Sequence, residues 1–98
     1  MTEVSIVVPL YNERDNVARL CAATHEALAG MDRAYELVLV DDGSSDDTVS
    51  VASAIARSDA RVRLVVLARN SGQTAAMAAG MADARSKYLV TMDGDLQN

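Results

Sequence analysis

An α/β fold is predicted for this chain: a Rossmann-like parallel sheet of about four strands with helices on both faces. Short apolar segments of strand length alternate along it with stretches of helical period, and the connections between successive strands are too long for hairpins. Parallel strands joined by right-handed crossovers satisfy both observations. Length agrees, because 98 residues, half of them apolar, suffice for one domain with a modest core.

The first strand is Val4 to Pro9, apolar nearly throughout, with Pro9 removing a ladder donor where strand gives way to loop. The period then changes. Val17, Leu20, Cys21, Thr24 and Leu28 fall at i, i+3, i+4, i+7 and i+11, the stripe of an amphipathic helix, with Asn12 or Asp15 as its cap and Gly30 as its stop. Glu36 to Val40 is the second strand. After the turn Asp41-Asp42-Gly43-Ser44-Ser45 a helix runs from about Asp46 to Ser58, its leading acids Asp46 and Asp47 complementing the helix dipole. Val62 to Leu67 is the third strand and Arg69 to Gly72 a loop. Gln73 to Ala84 is an alanine-rich third helix with a buried stripe of Ala76, Met77, Gly80, Met81 and Ala84, small enough to lie close on a sheet. Tyr88 to Met92 is the fourth strand, and Asp93 opens a loop.

Composition excludes several classes. A net charge of -5 argues against a broad electrostatic hold on nucleic acid or on an anionic membrane surface. The longest apolar runs, such as Ala75 to Ala82 with Gly80 inside, fall far short of the roughly 20 residues of a membrane span. From a single cysteine, Cys21, and an N-terminus without the charged-then-apolar pattern of a leader, a reducing, cytoplasmic compartment is expected. Nothing matches Gly-x-Gly-x-x-Gly or a P-loop, and the lone His25, mid-helix and off the apolar stripe, reads as a surface residue that supports no nucleophilic triad.

Ligands of open parallel sheets sit beyond the carboxyl ends of the strands, near the point where strand order reverses. The polar segments fall at those ends: Pro9-Leu10-Tyr11-Asn12-Glu13, Asp41-Asp42-Gly43-Ser44-Ser45, Arg69-Asn70-Ser71-Gly72-Gln73 and Asp93-Gly94-Asp95-Leu96-Gln97-Asn98. Asp93 and Asp95 place carboxylates on a bend and Gln97 adds a neutral oxygen, a donor set suited to Mg²⁺ or Mn²⁺, although a solvated Asp-Gly turn has the same composition. Such a cation neutralises a departing diphosphate. Asp41 and Asp42 fit either a nucleoside N–H or hydroxyl, or a turn capped by Ser44, Ser45 and Asp46; spacing alone leaves both open. Tyr11 fits a base stack and Glu13 a hydrogen bond, or a half-buried ring and a surface acid; Arg69 fits a phosphate or plain solvation.

Taken together, Ile6-Val7-Val8-Pro9-Leu10-Tyr11-Asn12-Glu13, Val40-Asp41-Asp42-Gly43-Ser44-Ser45-Asp46, Arg69-Asn70-Ser71-Gly72-Gln73 and Met92-Asp93-Gly94-Asp95-Leu96-Gln97-Asn98 resemble glycosyltransferase family 2. The Asp-Gly-Asp-Leu-Gln string looks most like the branch with dolichol-phosphate mannosyltransferases and undecaprenyl-phosphate glycosyltransferases. The resemblance implies the nucleotide-binding half of a GT-A fold over residues 1–98, cut off just after the acidic motif. It implies a nucleoside-diphosphate sugar donor such as GDP-mannose or a UDP-hexose, Mg²⁺ or Mn²⁺, and inversion by direct attack of a polyprenyl phosphate. By position, Pro9, Tyr11, Glu13, Val40, Asp42, Asp93 and Gly94 would contact the donor. Asp95 and Gln97 would ligate the metal, with Asp93 helping directly or through water, and Asp93 and Asp95 would be the catalytic residues. Alternatives are a nucleotide-binding piece without turnover and a family 2 enzyme with a non-lipid acceptor. A response-regulator-like domain is disfavoured, because Tyr11-Asn12-Glu13 and Arg69-Asn70 stand where its acidic pair and phosphoacceptor belong. The parent is expected at the cytoplasmic face of a membrane, and the open edge of the fourth strand is expected to pair with another copy.

Overall fold

The computed structural model describes residues 2–30, 33–86 and 88–91, with the side chains of residues 88 and 89 left aside. Its elements in order are β1 (Val4–Leu10), α1 (Val17–Leu28), β2 (Tyr35–Asp41), α2 (Thr48–Ser58), β3 (Val62–Val66), α3 (Gln73–Asp83) and β4 (Tyr88–Thr91). The strands form one sheet of order β3-β2-β1-β4, every pair parallel, so the α/β expectation holds. From β1 the chain winds outward through β2 to β3, then returns past β1 to β4. Right-handed crossovers in opposite directions put their helices on opposite faces. Hence α1 and α2 share one face and α3 covers the other.

The register Val4↔Tyr35 through Leu10↔Asp41 sets which side chain faces which helix. Ile6, Val8, Leu10, Leu37 and Leu39 join Val17, Leu20, Cys21 and Ala52 in the larger core. Val7, Val38, Val40 and Ala76 make the smaller one. The predicted α1 stripe is the buried face, and the Thr24 hydroxyl satisfies itself there by donating to the Leu20 carbonyl at 2.8 Å. Pro9 lies beyond the last residue of β1 paired to β4, Val7, so its missing N–H breaks no described ladder bond on that side.

Helix α3 lies unusually near the sheet. A Cβ at Gly80 would come 2.4 Å from Val7 Cγ1 and 2.7 Å from Val40 Cγ2. The contact line therefore runs along Ala76 and Gly80, both buried, and corrects one part of the predicted stripe: Met81, about 100° further round the helix, is 45% exposed. Helix starts also differ from expectation. Neither Asn12 nor Asp15 caps α1, which begins at Val17. Helix α2 begins at Thr48 because Asp46 accepts from the Thr48 N–H at 2.9 Å.

The amino end of the sheet carries polar networks that hold the helices. His25, expected at the surface, is only 22% exposed at its side chain and is wedged between Tyr35 and Asp59. Arg61 donates to the Tyr35 hydroxyl at 2.9 Å, that hydroxyl is hydrogen-bonded to His25 Nδ1, and His25 Nε2 lies 2.8 Å from Asp59 Oδ2. That last contact lies off the line of a good hydrogen bond. On the α3 face the buried Glu36 accepts from Ser5 Oγ at 2.5 Å and from the Arg85 N–H at 2.8 Å, and meets Arg63 at 3.4 Å. Burial alone would raise the Glu36 carboxyl; the Ser5 hydroxyl, the Arg85 amide and Arg63 outweigh it and hold it below its ordinary value.

Candidate functional site

At the carboxyl edge the loops after β1, β2 and β3 are bonded to one another. The β2 strand runs out into Asp41 and Asp42, nearly fully buried both, and successive residues of a strand face opposite sides. Asp41 turns towards the α2 side, where its Oδ2 accepts from the Ser44 N–H at 2.9 Å and its Oδ1 from the Ser44 hydroxyl at 2.5 Å. Asp42 turns the other way. Its Oδ1 accepts from the Ser71 N–H at 2.8 Å and its Oδ2 from the Gly72 N–H at 3.0 Å, so it fixes the loop that leads into α3. Gly43, with φ of +75°, makes this possible: a Cβ there would lie 2.2 Å from the Asn70 nitrogen and 2.3 Å from the Arg69 carbonyl carbon.

The β1–α1 loop is fastened to the same β2–α2 segment. Asn12 adopts a left-handed φ of 52°. Its N–H donates to Ser44 Oγ at 2.9 Å, while its Oδ1 accepts from the Ser45 N–H at 2.8 Å and the Asp46 N–H at 3.3 Å. The Glu13 N–H donates to Thr48 Oγ1 at 2.9 Å, and the Thr48 hydroxyl donates in turn to Asp46 Oδ1. That hydroxyl bond above all holds the Asp46 carboxyl below its ordinary value, with the Thr48 and Arg14 amides and the Arg14 charge assisting against some desolvation.

Each residue singled out from the sequence now has a place. Tyr11, just past the end of β1, is 47% exposed, Pro9 and Glu13 are half-buried, and Glu13 Oε2 accepts from Asn16 Nδ2 at 2.8 Å. Val40 is fully buried against α3, so its side chain supports the floor instead of presenting a surface to a ligand. Arg69 is exposed beside Gly43. Tyr11, Glu13 and Asp42 thus share one edge of the sheet, next to the β1–β4 boundary where strand order reverses. Asp93, Gly94, Asp95 and Gln97 lie outside the described residues. Among the described residues no group of three or more His, Cys, Asp or Glu is placed to hold a metal ion. The Asp41–Asp42 pair, engaged with backbone amides, is not a substitute. The oxygen donors of Asp93, Asp95 and Gln97 nevertheless fit a hard divalent cation by their chemistry. Sequence reasoning overlooked Asn12, Ser44 and Thr48 as site-building residues; the available signal was an asparagine, tolerant of positive φ, directly after Pro9-Leu10-Tyr11.

The family model for glycosyl transferase family 2 matches residues 5–98. The dodecaprenyl-phosphate galacturonate synthase of Rhizobium johnstonii is 46% identical over 97 residues, covering 98% of this chain and 29% of its own length. An undecaprenyl-phosphate 4-deoxy-4-formamido-L-arabinose transferase of Sodalis glossinidius is 44% identical over 97 residues, covering 98% of this chain and 30% of that protein. The chain thus spans under a third of these curated relatives. Among solved structures, a mannosyltransferase from Pyrobaculum calidifontis in complex with GDP-Man and Mn²⁺ superposes with a TM-score of 0.82 at 26% identity, covering 95% of this chain and 27% of that one.

Proposed function

The chain belongs to glycosyltransferase family 2, and on that premise we propose that it supplies the donor and metal half of an inverting transferase that moves a hexose from a nucleoside-diphosphate sugar to a polyprenyl phosphate. One observation carries the reading: Tyr11, Glu13 and Asp42 converge at the carboxyl edge of a parallel sheet beside its reversal point, in a chain 46% identical to a polyprenyl-phosphate sugar transferase. Tyr11 offers an exposed ring for a base, and Glu13 and Asp42 offer carboxylate oxygens to base or ribose donors. Asp42 spends one bond per oxygen on the Ser71 and Gly72 amides, which leaves lone pairs for a ligand.

Asp93, Asp95 and Gln97 are the residues that would hold Mg²⁺ or Mn²⁺, which when bound offsets the charge of the departing diphosphate. A phosphate oxygen of the acceptor attacks the anomeric carbon as the bond from that carbon to the diphosphate oxygen breaks; the nucleoside diphosphate leaves with the electron pair and the configuration inverts. The acceptor is already an anion, so this chain needs no strong general base. Self-association through the β4 edge, which pairs only with β1 among the described residues, belongs to the same reading, and a monomeric mass by light scattering at high concentration would count against it. So does a place at the cytoplasmic face of a membrane for the whole protein. Among the described residues no helix is long and apolar enough to cross a membrane.

Isothermal titration with GDP, GDP-mannose, UDP and UDP-glucose, with and without Mn²⁺, tests the proposal beside an Asp95→Ala control. Metal-dependent binding that the control loses is the expected result. Failure to bind any of them would leave the fold and the family but remove the donor site.

A further inference from the structure

We propose that Asn12 is a positioning residue of the donor pocket: it clips the β1–α1 loop onto the β2–α2 loop and so sets Tyr11 and Glu13 before a nucleoside diphosphate arrives. The inference rests on the donor-binding reading above, and adds to it a residue that touches no ligand.

The observations are geometric. Asn12 carries a φ of 52°, a conformation that side-chain-bearing residues other than Asn and Asp adopt reluctantly. The structure over-determines it there. The Oδ1 atom receives the Ser45 N–H at 2.8 Å, the Ser45 hydroxyl at 3.3 Å and the Asp46 N–H at 3.3 Å. On the backbone side, its N–H ends on Ser44 Oγ, whose proton goes to Asp41 Oδ1. The next amide, that of Glu13, ends on Thr48 Oγ1, whose proton goes to Asp46 Oδ1. Two parallel relays therefore run from successive amides of one loop, through a hydroxyl, to a carboxylate of the other, and the Asn12 side chain closes the gap between them.

Tyr11 and Glu13 flank this clip. Tyr11 is 47% exposed and lies just past the end of β1, so the direction in which its backbone leaves the strand is set in part by how the residue that follows is held. A pocket whose walls are already ordered spares the ligand the entropy of ordering them. The position demands an acceptor oxygen one carbon from Cβ together with tolerance of a left-handed backbone. Asparagine meets both. Aspartate meets both but adds negative charge beside Asp46 and Asp47; glycine keeps the backbone and loses the clip; alanine loses both.

The test titrates the 98-residue chain and its Asn12→Gly, Asn12→Ala and Asn12→Asp variants with UDP and GDP in Mn²⁺. Amide hydrogen exchange at Ser45 and Asp46 is followed by NMR, and the thermal midpoint is recorded. Asn12→Gly is expected to fold with a midpoint near that of the parent, to speed exchange at both amides, and to weaken nucleotide binding by about five- to tenfold, the scale of one hydrogen bond's net worth. Asn12→Asp is expected to restore amide protection and most of the affinity, which loss of general stability would not predict. Asn12→Gly carries the test whether or not Asn12→Ala folds. Parent-like binding by Asn12→Gly, with or without faster exchange, overturns the positioning role and leaves the donor reading intact. A parent chain that binds neither nucleotide overturns the donor reading first, and the positioning role with it.

Discussion

Gly80→Ala is expected to destabilise the chain although it places a better helix former in a helix. The Cβ it adds would sit 2.4 Å from Val7 Cγ1 and 2.7 Å from Val40 Cγ2, against an ordinary carbon contact of about 3.5–4.0 Å. Relief requires a shift of about 1 Å by α3 or by the valines. Both valines are fully buried in the central strands and are stiff at χ1, so neither can swing aside. Overpacking of this kind typically costs about 1–3 kcal/mol, and the helix-propensity gain of Ala over Gly returns up to about 1 kcal/mol. Because neither valine can yield, the upper part of that cost range, about 2–3 kcal/mol, applies, and a net loss of about 1–2 kcal/mol is expected in guanidinium unfolding. Gly30→Ala supplies the opposite sign as a control: nothing lies within 4 Å of the added carbon and its φ is not positive, so it is expected to be neutral or to stabilise by up to about 1 kcal/mol. If Gly80→Ala matches or exceeds the parent in stability, α3 is not seated on β1 and β2 at this depth.

Three further outcomes follow from named groups. Glu36 has its carboxyl lowered from an ordinary 4.5, so the stability it contributes is present above that value and lost as pH falls through the lower folded value; Glu36→Gln should be less stable at neutral pH and flatter across that acidic window in pH-dependent urea titrations. Asp42→Asn turns one acceptor into an NH₂ group facing a backbone N–H of Ser71 or Gly72, which should cost about 1–3 kcal/mol and weaken nucleotide binding, read by unfolding and titration together. Cys21 has its thiol raised first by burial and then by the charge of Asp59, so a thiol reagent should modify it only on the timescale of unfolding; immediate modification of the folded chain would contradict its burial.

The fold was legible because period and length speak for themselves. The Val17-Leu20-Cys21-Thr24 stripe is the buried face of α1, and the apolar runs around Val7 and Val38 could only be strands covered on both sides. Alanine and glycine in α3 correctly announced a close approach, but not its line, which is why Met81 was assigned to the wrong face. His25 was misread for a related reason. Its polar neighbours Thr24 and Glu26 suggest solvent, whereas its partners Tyr35 and Asp59 arrive from β2 and the end of α2, at separations no local pattern records. The same holds at the site. That Asn12 serves the β2–α2 loop and not its own helix depends on contacts more than thirty residues apart.

The Asp41-Asp42 pair shows how such contacts turn a local ambiguity into a division of labour. From spacing, the pair served either a nucleoside or a turn. Asp41 ends β2 and Asp42, the next residue, continues its alternation, so one carboxylate bonds the loop before α2 and the other the loop before α3. Asp41 becomes an anchor for Ser44, and through Ser44 for Asn12; Asp42 becomes the anchor of the α3 entry. The far end of α3 hangs from β2 as well, by Glu36 accepting from the Arg85 amide just past the helix. The central strand β2 and the residue that follows it therefore fix both ends of α3 and the loop at the strand's tip with three buried carboxylates, Glu36, Asp41 and Asp42. Each accepts hydrogen bonds from donors of another segment, Glu36 from Ser5 and Arg85, Asp41 from Ser44, and Asp42 from Ser71 and Gly72. The predicted nucleotide contact at Asp42 and its structural role are not rivals. A carboxylate already held rigid by two amides presents its remaining lone pairs in fixed directions, which is what recognition of a base or ribose donor requires.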